Sequence, residues 1–330
     1  MKARTILFKT AQTLLIFFLV VTVNFFIARF MPGDVMMHLL GEEEYTRLMS
    51  ESPEVIEILR AKYGLDQPLG VQYLRYVKSA LRLDFGNSYT TKEPVTHRVF
   101  YAMKWTLLLA VPSIVLSALL GGVLGILAGW RQGGKLDQIA TPFFILLSAI
   151  PSNCVSMLFL LFFAVKHRIF PIGGMTTGGL EGLARSVDIL WHMAMPLMIM
   201  VLFRTGGNYI NMRSYSISIH SEDYITTAVS KGLPGRRVLF RHGLRNIILP
   251  YITLLGMQFG GILSGSMMLE VVFSWKGMGQ LTYSAAMSRD FPTLQFALLL
   301  SSACVLLFNL LADVLCMFID PRLRGGGVHE

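Results

Sequence analysis

The feature that most constrains this chain is a series of apolar runs, each about as long as a membrane is thick. A helix needs roughly 20 apolar residues to cross a hydrocarbon core. Lipid offers the backbone no hydrogen-bond partner, so such a run must satisfy its own backbone as a helix, or close into a barrel. Runs of this length lie at about residues 11–30, 104–130, 138–165, 188–212, 247–272 and 293–319. Charged residues make up 15% of the 330-residue chain, well below the roughly 25% usual in soluble domains. The expected fold is an all-α polytopic membrane protein with six transmembrane helices. Pro142 and Pro151 fall inside the third run, where they would kink a single span.

The formal charge is +9, which in a soluble chain could mean nucleic acid. Its distribution argues against that partner. Residues 31–104 hold nine Lys/Arg and ten Asp/Glu, so the whole excess sits in the membrane half and its short loops. There it follows the positive-inside tendency. This bias puts both termini and residues 213–246 in the cytoplasm, and residues 31–103 outside. Cys154, Cys304 and Cys316 all lie within apolar runs, without disulfide or metal spacing.

The expected organisation follows. Residues 1–30 form the cytoplasmic N-terminus and first span; the run is too long for a secretory signal, and no small-x-small site follows it. Residues 31–103 form a small external subdomain. In it Ser52-Pro53-Glu54 starts a helix that Gly64 ends, and Asp66 and Pro68 open another with Leu69, Tyr73, Val77 and Leu81 on one face. Residues 104–319 form a five-helix core that includes the loop 213–246, and 320–330 a cytoplasmic tail.

The longest polar interruption of that core is Ser221 to Pro250. Ser221 reads as an N-cap, with Glu222 and Asp223 in the first turn, where their charge suits the helix dipole. Tyr224, Ile225, Ala228 and Val229 recur at helical spacing. Lys231 and Gly232 close the segment, Gly232 at a C′ position, and Pro234 prevents continuation. A second short helix carries Arg237, Arg241 and Arg245 four residues apart. Cap, stripe and stop together suit a docking element at a membrane surface.

Within the spans, Gly121, Gly125 and Gly129 follow Ser117 at intervals of four, a face that lets another helix approach closely. Arg204, Asn208 and Asn211 place polar groups in the fourth span, where they can line a polar path or hold helices together. Glu270 and Asp313 lie nearer to span ends, where solvation explains them. His192 among Met193, Met195, Met198 and Met200 reads as packing. Gly129 to Lys135 matches seven positions of a phosphate loop, but Leu136 replaces the magnesium-holding hydroxyl and a membrane helix precedes it. No catalytic constellation is present, and no internal repeat of the inverted-repeat transporter kind.

The stretch EDYITTAVSKGLPGRRVLFRHGLRNIILP resembles the cytoplasmic loop of binding-protein-dependent ABC importer permeases, in particular the oligopeptide/dipeptide/nickel family. MPGD at 31–34, YGLDQPLGVQYLRYV at 63–77, LDFGNSY at 83–89, VVFSWKGMGQL at 271–281 and DPRLR at 320–324 agree, so the resemblance covers nearly the whole chain. Thr226-Thr227-Ala228 stands where the general pattern has Glu-Ala-Ala, and Val35 stands where a proline usually follows the first outer motif. The resemblance implies a type I importer permease in a bacterial or archaeal cell membrane, forming half of a path for peptides or a nickel chelate, with peptides preferred. It implies a second, similar permease, two ATP-binding subunits and an external substrate-binding protein as partners. ATP and magnesium would sit on the ATPase chains, with no cofactor on this one. Residues 222–232 would be the coupling helix, through Glu222, Asp223, Tyr224, Ala228, Lys231 and Gly232. An ATP-independent channel or secondary transporter is the alternative reading, and a membrane enzyme the third.

Overall fold

Helices account for the regular structure because most of the chain must satisfy its backbone within apolar surroundings. The computed structural model describes residues 2–30, 35–263 and 266–319. The MPGD motif at 31–34, Gly265 and the DPRLR tail lie outside the described residues.

Helix α1 (Lys2–Phe30) is followed by four shorter helices, α2 (Val35–Leu40), α3 (Glu42–Glu51), α4 (Pro53–Tyr63) and α5 (Leu69–Arg82). Pro53 occupies the first turn of α4, and Gly64 ends it with φ +64°. Helix α5 turns Tyr73, Tyr76 and Val77 inward onto α1, while Leu69 and Leu81 are exposed. The Tyr73 and Tyr76 hydroxyls meet Thr22 at 2.7 Å and Asn24 at 3.1 Å. Residues 84–86 form a local turn in which Gly86 N–H donates to Asp84, and Phe85 stacks on Phe296 with ring centroids 4.7 Å apart.

The membrane core consists of α6 (Val95–Trp130), α7 (Lys135–Ala149), α8 (Ser152–Phe159, continued by a π-helical turn to Lys166), α9 (Gly182–His220), α10 (Asp223–Ser230), α11 (Gly235–Arg237), α12 (Leu244–Gly260), α13 (Met267–Val272), α14 (Met278–Met287) and α15 (Phe291–Ile319). Among the described residues, five segments are long and apolar enough to cross a membrane alone: Ile6–Ile27, Val95–Trp130, Gly182–His220, Gly235–Leu263 and Phe291–Leu315. The third expected span is a broken one: α7 and α8 pass that test only together and are bent by 94°. Pro151 explains the break. It forces Ile150 out of the helical region, to φ −96° and ψ 128°, whereas Pro142 is accommodated within α7. The fifth span begins earlier than expected. The short basic helix after Pro234 is its first turns, running on through a π-helical segment at Val238–Gly243.

Helix α1 runs antiparallel to α15, with Lys9 and Asp313 paired at 2.8 Å near one end and Asn24 donating to the Gln295 carbonyl at 2.8 Å toward the other. The start of α1 and the end of α15 therefore share one end of the bundle. Helices α6 and α9 lie parallel, and α12 lies antiparallel to α15, with Gly256 against Ala312 and Gly260 against Val305. The main core gathers Trp105, Leu109, Ile114, Met195, Ile199, Trp275 and Phe296 from several of these elements. Outward side chains such as Leu119, Val123, Ile139, Leu146 and Leu158 are exposed, an arrangement suited to lipid rather than water.

Candidate functional site

Helix α10 is a two-turn element held against the end of the bundle by its apolar face. Ile225 and Ala228 are buried against Val238, with Trp130, Ile219 and Leu233 around them. Trp130 anchors this platform: its ring meets His220 edge-on at 4.8 Å, and a Cβ on Gly243 would touch it at 3.4 Å. Asn246 donates to the Tyr224 hydroxyl at 2.7 Å, tying α10 to α12.

The C-terminus of α10 is a Schellman motif. The Gly232 N–H donates to the Val229 carbonyl at 2.9 Å and the Leu233 N–H to the Ala228 carbonyl at 3.4 Å. Gly232 takes φ +72°, the left-handed conformation expected of it. Leu233 packs under the helix, supplying the hydrophobic contact that accompanies the motif. The N-terminus differs from expectation. Helix α9 continues to His220, the capping position falls on Glu222, and the Ser221 hydroxyl donates to the Ser218 carbonyl. Glu222, Asp223, Tyr224, Thr227, Val229, Ser230, Lys231 and Gly232 remain exposed. Ala228 does not join them, because the face it shares with Ile225 is the one that anchors the helix to its own subunit.

A partly buried ion pair fixes the same end of the core. Asp137 accepts from Arg213, from Thr141 at 2.7 Å and from the Gly133 N–H at 2.9 Å, so α7 is clamped to α9. Sequence reasoning missed it; the available signal was a lone carboxylate after Arg131 and Lys135.

The glycine seam lies within the subunit, between α6 and α9. A Cβ on Gly121 would meet Asn208 Cβ at 2.6 Å, one on Gly125 the Tyr209 carbonyl at 2.5 Å, and one on Gly129 the Arg213 carbonyl at 2.5 Å. The polar residues of α9 separate into three environments. Asn208 is fully buried, donates to Ser117 at 3.3 Å and accepts from Gln258 at 2.7 Å, joining α6, α9 and α12. Asn211 donates back to the Gly207 carbonyl of its own helix at 2.8 Å. Arg204 is half-buried and makes no hydrogen bond or ion pair among the described residues. Helix-holding thus accounts for Asn208, and of these three Arg204 carries a charge without a hydrogen-bond or ion-pair partner among the described residues.

Two carboxylates organise the opposite end. Glu270 was expected to be solvated but is fully buried, accepting from Thr106 and Ser266 at 2.7 Å each and from the Gly279 and Gln280 N–H groups at 2.7 and 3.2 Å. With the Trp275 indole N–H donating to the Trp105 carbonyl at 3.0 Å, it fastens α13 and α14 onto α6. Asp290, also buried, accepts from Ser88 at 2.6 Å, the Tyr89 N–H at 2.9 Å, Thr293 at 2.7 Å and Arg98 at 3.1 Å. Burial pushes its carboxyl up, but these donors and the Arg98 charge outweigh burial and hold it below the usual carboxylate range. This cluster clamps the 83–89 motif to the start of α15.

The bundle thus comprises five long spans and one broken one among the described residues, with a short helix docked on one end. Residues 121–325 match the family described as the binding-protein-dependent transport system inner membrane component, and residues 2–110 match its N-terminal companion family. The chain belongs to this permease family. It is 31% identical to the oligopeptide transport system permease protein AppB of Bacillus subtilis, over 98% of this chain and 99% of that one. It is 33% identical to the glutathione transport system permease protein GsiC of Salmonella paratyphi A, over 93% and 94% of the two chains. A probable peptide ABC transporter permease of Sinorhizobium fredii is 30% identical over 97% and 98%. The chain is thus a multi-pass membrane permease component of a binding-protein-dependent transport system.

Proposed function

We propose that this permease forms half of the path through which an ATP-driven importer takes up peptides, and that α10 is the coupling helix to its ATPase subunits. Relatives named for oligopeptide and glutathione transport support peptides as cargo. In this reading a second, similar permease completes the path and an external binding protein delivers cargo to the end formed by residues 35–94. Two ATPase subunits, carrying ATP and magnesium, dock at the end where α1 begins and α15 finishes. Arg204, a cation of α9 without a hydrogen-bond or ion-pair partner among the described residues, faces the path in this scheme, where a peptide carboxylate compensates it.

The observation that carries the coupling reading is the division of α10 into two faces. Ile225 and Ala228 bind it to its own subunit, so displacement of α10 is passed to α9 and α12 instead of being absorbed by a loose loop. Tyr224, Val229 and Lys231 remain outside for a partner. Gly232 has open space around it, so a large side chain there would project toward the partner while straining a left-handed position by about 1 kcal/mol or more. Gly232→Trp complexes should insert normally but lose binding-protein-stimulated ATP hydrolysis and uptake in reconstituted vesicles, whereas Gly178→Trp, in an open loop at the other end, should keep both. Unaltered stimulation and uptake by assembled Gly232→Trp complexes would remove α10 from the coupling path.

A further inference from the structure

A cavity of about 360 Å³ opens between the end of α1, α5, the 84–89 turn and the start of α15. Two guanidinium groups line it, those of Arg29 and Arg75. Neither has a hydrogen bond or ion pair among the described residues. Both are nevertheless held in place. Arg29 lies over the Phe25 ring at 5.6 Å from its centroid. The Arg75 guanidinium rests directly on Gly64, whose φ of +64° and lack of a Cβ leave it room; a Cβ would collide with it. Gln72, also in the wall, spends its amide N–H groups on the Leu65 and Gln67 carbonyls, which leaves its Oε1 buried without a donor. Positioned arginine forks with open donor edges match the geometry of a phosphate, and an orphaned acceptor beside them asks for a hydroxyl or ammonium donor.

The surroundings say where such a group comes from. The apolar span of α1 ends at Ile27, two residues before Arg29, so the cavity sits at a membrane–water boundary. Next to it α1 exposes Val23, Phe26, Ile27 and Phe30, with Phe26 packed on Phe25, the ring beneath Arg29. An anion that binds here has these exposed apolar side chains of α1 beside the cavity, on the membrane side. We propose that the cavity binds the phosphate of a glycerophospholipid from the leaflet it borders. Arg29 and Arg75 hold the phosphate oxygens, Gln72 accepts from the headgroup, and an acyl chain follows α1. The lipid then bridges α1, α5 and α15, the elements that seat the 35–94 subdomain on the membrane core.

The test uses the full chain assembled with its partner subunits, stripped of lipid in detergent and titrated with dioleoyl phosphatidylglycerol under native mass spectrometry. Removing one charge-assisted contact should weaken adduct formation roughly tenfold, so Arg75→Gln and Arg29→Gln should each lose that much, while Arg82→Gln, exposed on the same helix, should match the unmodified complex. Inorganic phosphate at the same concentration should not displace the lipid. Unchanged lipid binding in Arg75→Gln overturns the site, and this exposed position answers even if Arg29→Gln fails to assemble. Displacement by equal inorganic phosphate, with binding sensitive to Arg75, would make it a site for the free anion and overturn the lipid.

Discussion

Replacing Gly125 by alanine should force apart two helices whose backbones now touch. The added Cβ would lie 2.5 Å from the Tyr209 carbonyl oxygen, 2.8 Å from Met212 Cβ and 3.0 Å from the Arg213 nitrogen. None of these atoms ends a flexible side chain, so the strain cannot be relieved by a rotamer change. Reaching the 3.4 Å of ordinary contact requires a displacement of about 0.9 Å between α6 and α9. A gap of that size forfeits roughly a quarter to a half of the dispersion attraction of each affected contact. Overpacking at one buried position typically costs about 1–3 kcal/mol, and Gly121 and Gly129 hold the seam rigid one turn to either side. The matched control is Gly207→Ala on α9, where nothing lies within 4 Å; there the change should be neutral or favourable by up to about 1 kcal/mol from helix propensity. Reversible unfolding of the purified subunit in mixed detergent and SDS micelles would compare the two, with an expected gap of about 1–3 kcal/mol between the variants, because the helix-propensity gain is common to both and only the overpacking differs. Gly125→Leu should prevent accumulation of the subunit even when the partner permease is absent. Equal stability of Gly125→Ala and Gly207→Ala would refute the close-approach reasoning.

Ile225→Asp should free α10 from its subunit, because a carboxylate cannot remain among Val238, Leu233 and Trp130; hydrogen exchange across residues 221–235 should accelerate by an order of magnitude or more while α6 and α9 stay protected, and unchanged exchange would refute it. The clamp at Asp290 should depend on pH. Its carboxyl is depressed in the folded protein, so its contribution is complete above the unfolded value of about 3.9 and fades as pH falls through the lower folded value. Residues 87–92 should therefore lose exchange protection on acidification below about pH 4, and Asp290→Asn should show the loss already at pH 7; an acid-insensitive segment would contradict the assignment. Orientation is testable by single cysteines in a cysteine-free background. Thr91 suits this because it is exposed, whereas Ser88 is buried on Asp290; Thr91→Cys should label with an impermeant reagent in intact cells and Ser230→Cys only after permeabilisation, the reverse pattern inverting the topology.

Local chemistry decided much of this protein before any folding partner was known. Hydropathy alone located the spans, because a run facing lipid must be apolar along its length. Gly232 and Pro234 marked the end of α10, since a left-handed cap and a helix stop are properties of the residues themselves. The four-residue spacing at Gly121, Gly125 and Gly129 likewise announced a close helix contact. Tertiary structure alone decided what each feature meets. The partner of the glycine seam is α9 of the same chain, and Asn208 serves that junction, which spacing within one helix cannot reveal. Ala228 and Tyr224 belong to one apolar stripe in sequence, yet Trp130 and Val238 cover the first and leave the second exposed. Ser221 looked like a cap, but α9 runs on to His220 and takes the position. Glu270 read as a solvated charge because Thr106, which donates to it, lies 164 positions earlier in the chain, and the Ser88 that meets Asp290 lies 202 positions earlier. Burial of a charge is a property of the assembled neighbourhood, and only the folded chain brings those donors together.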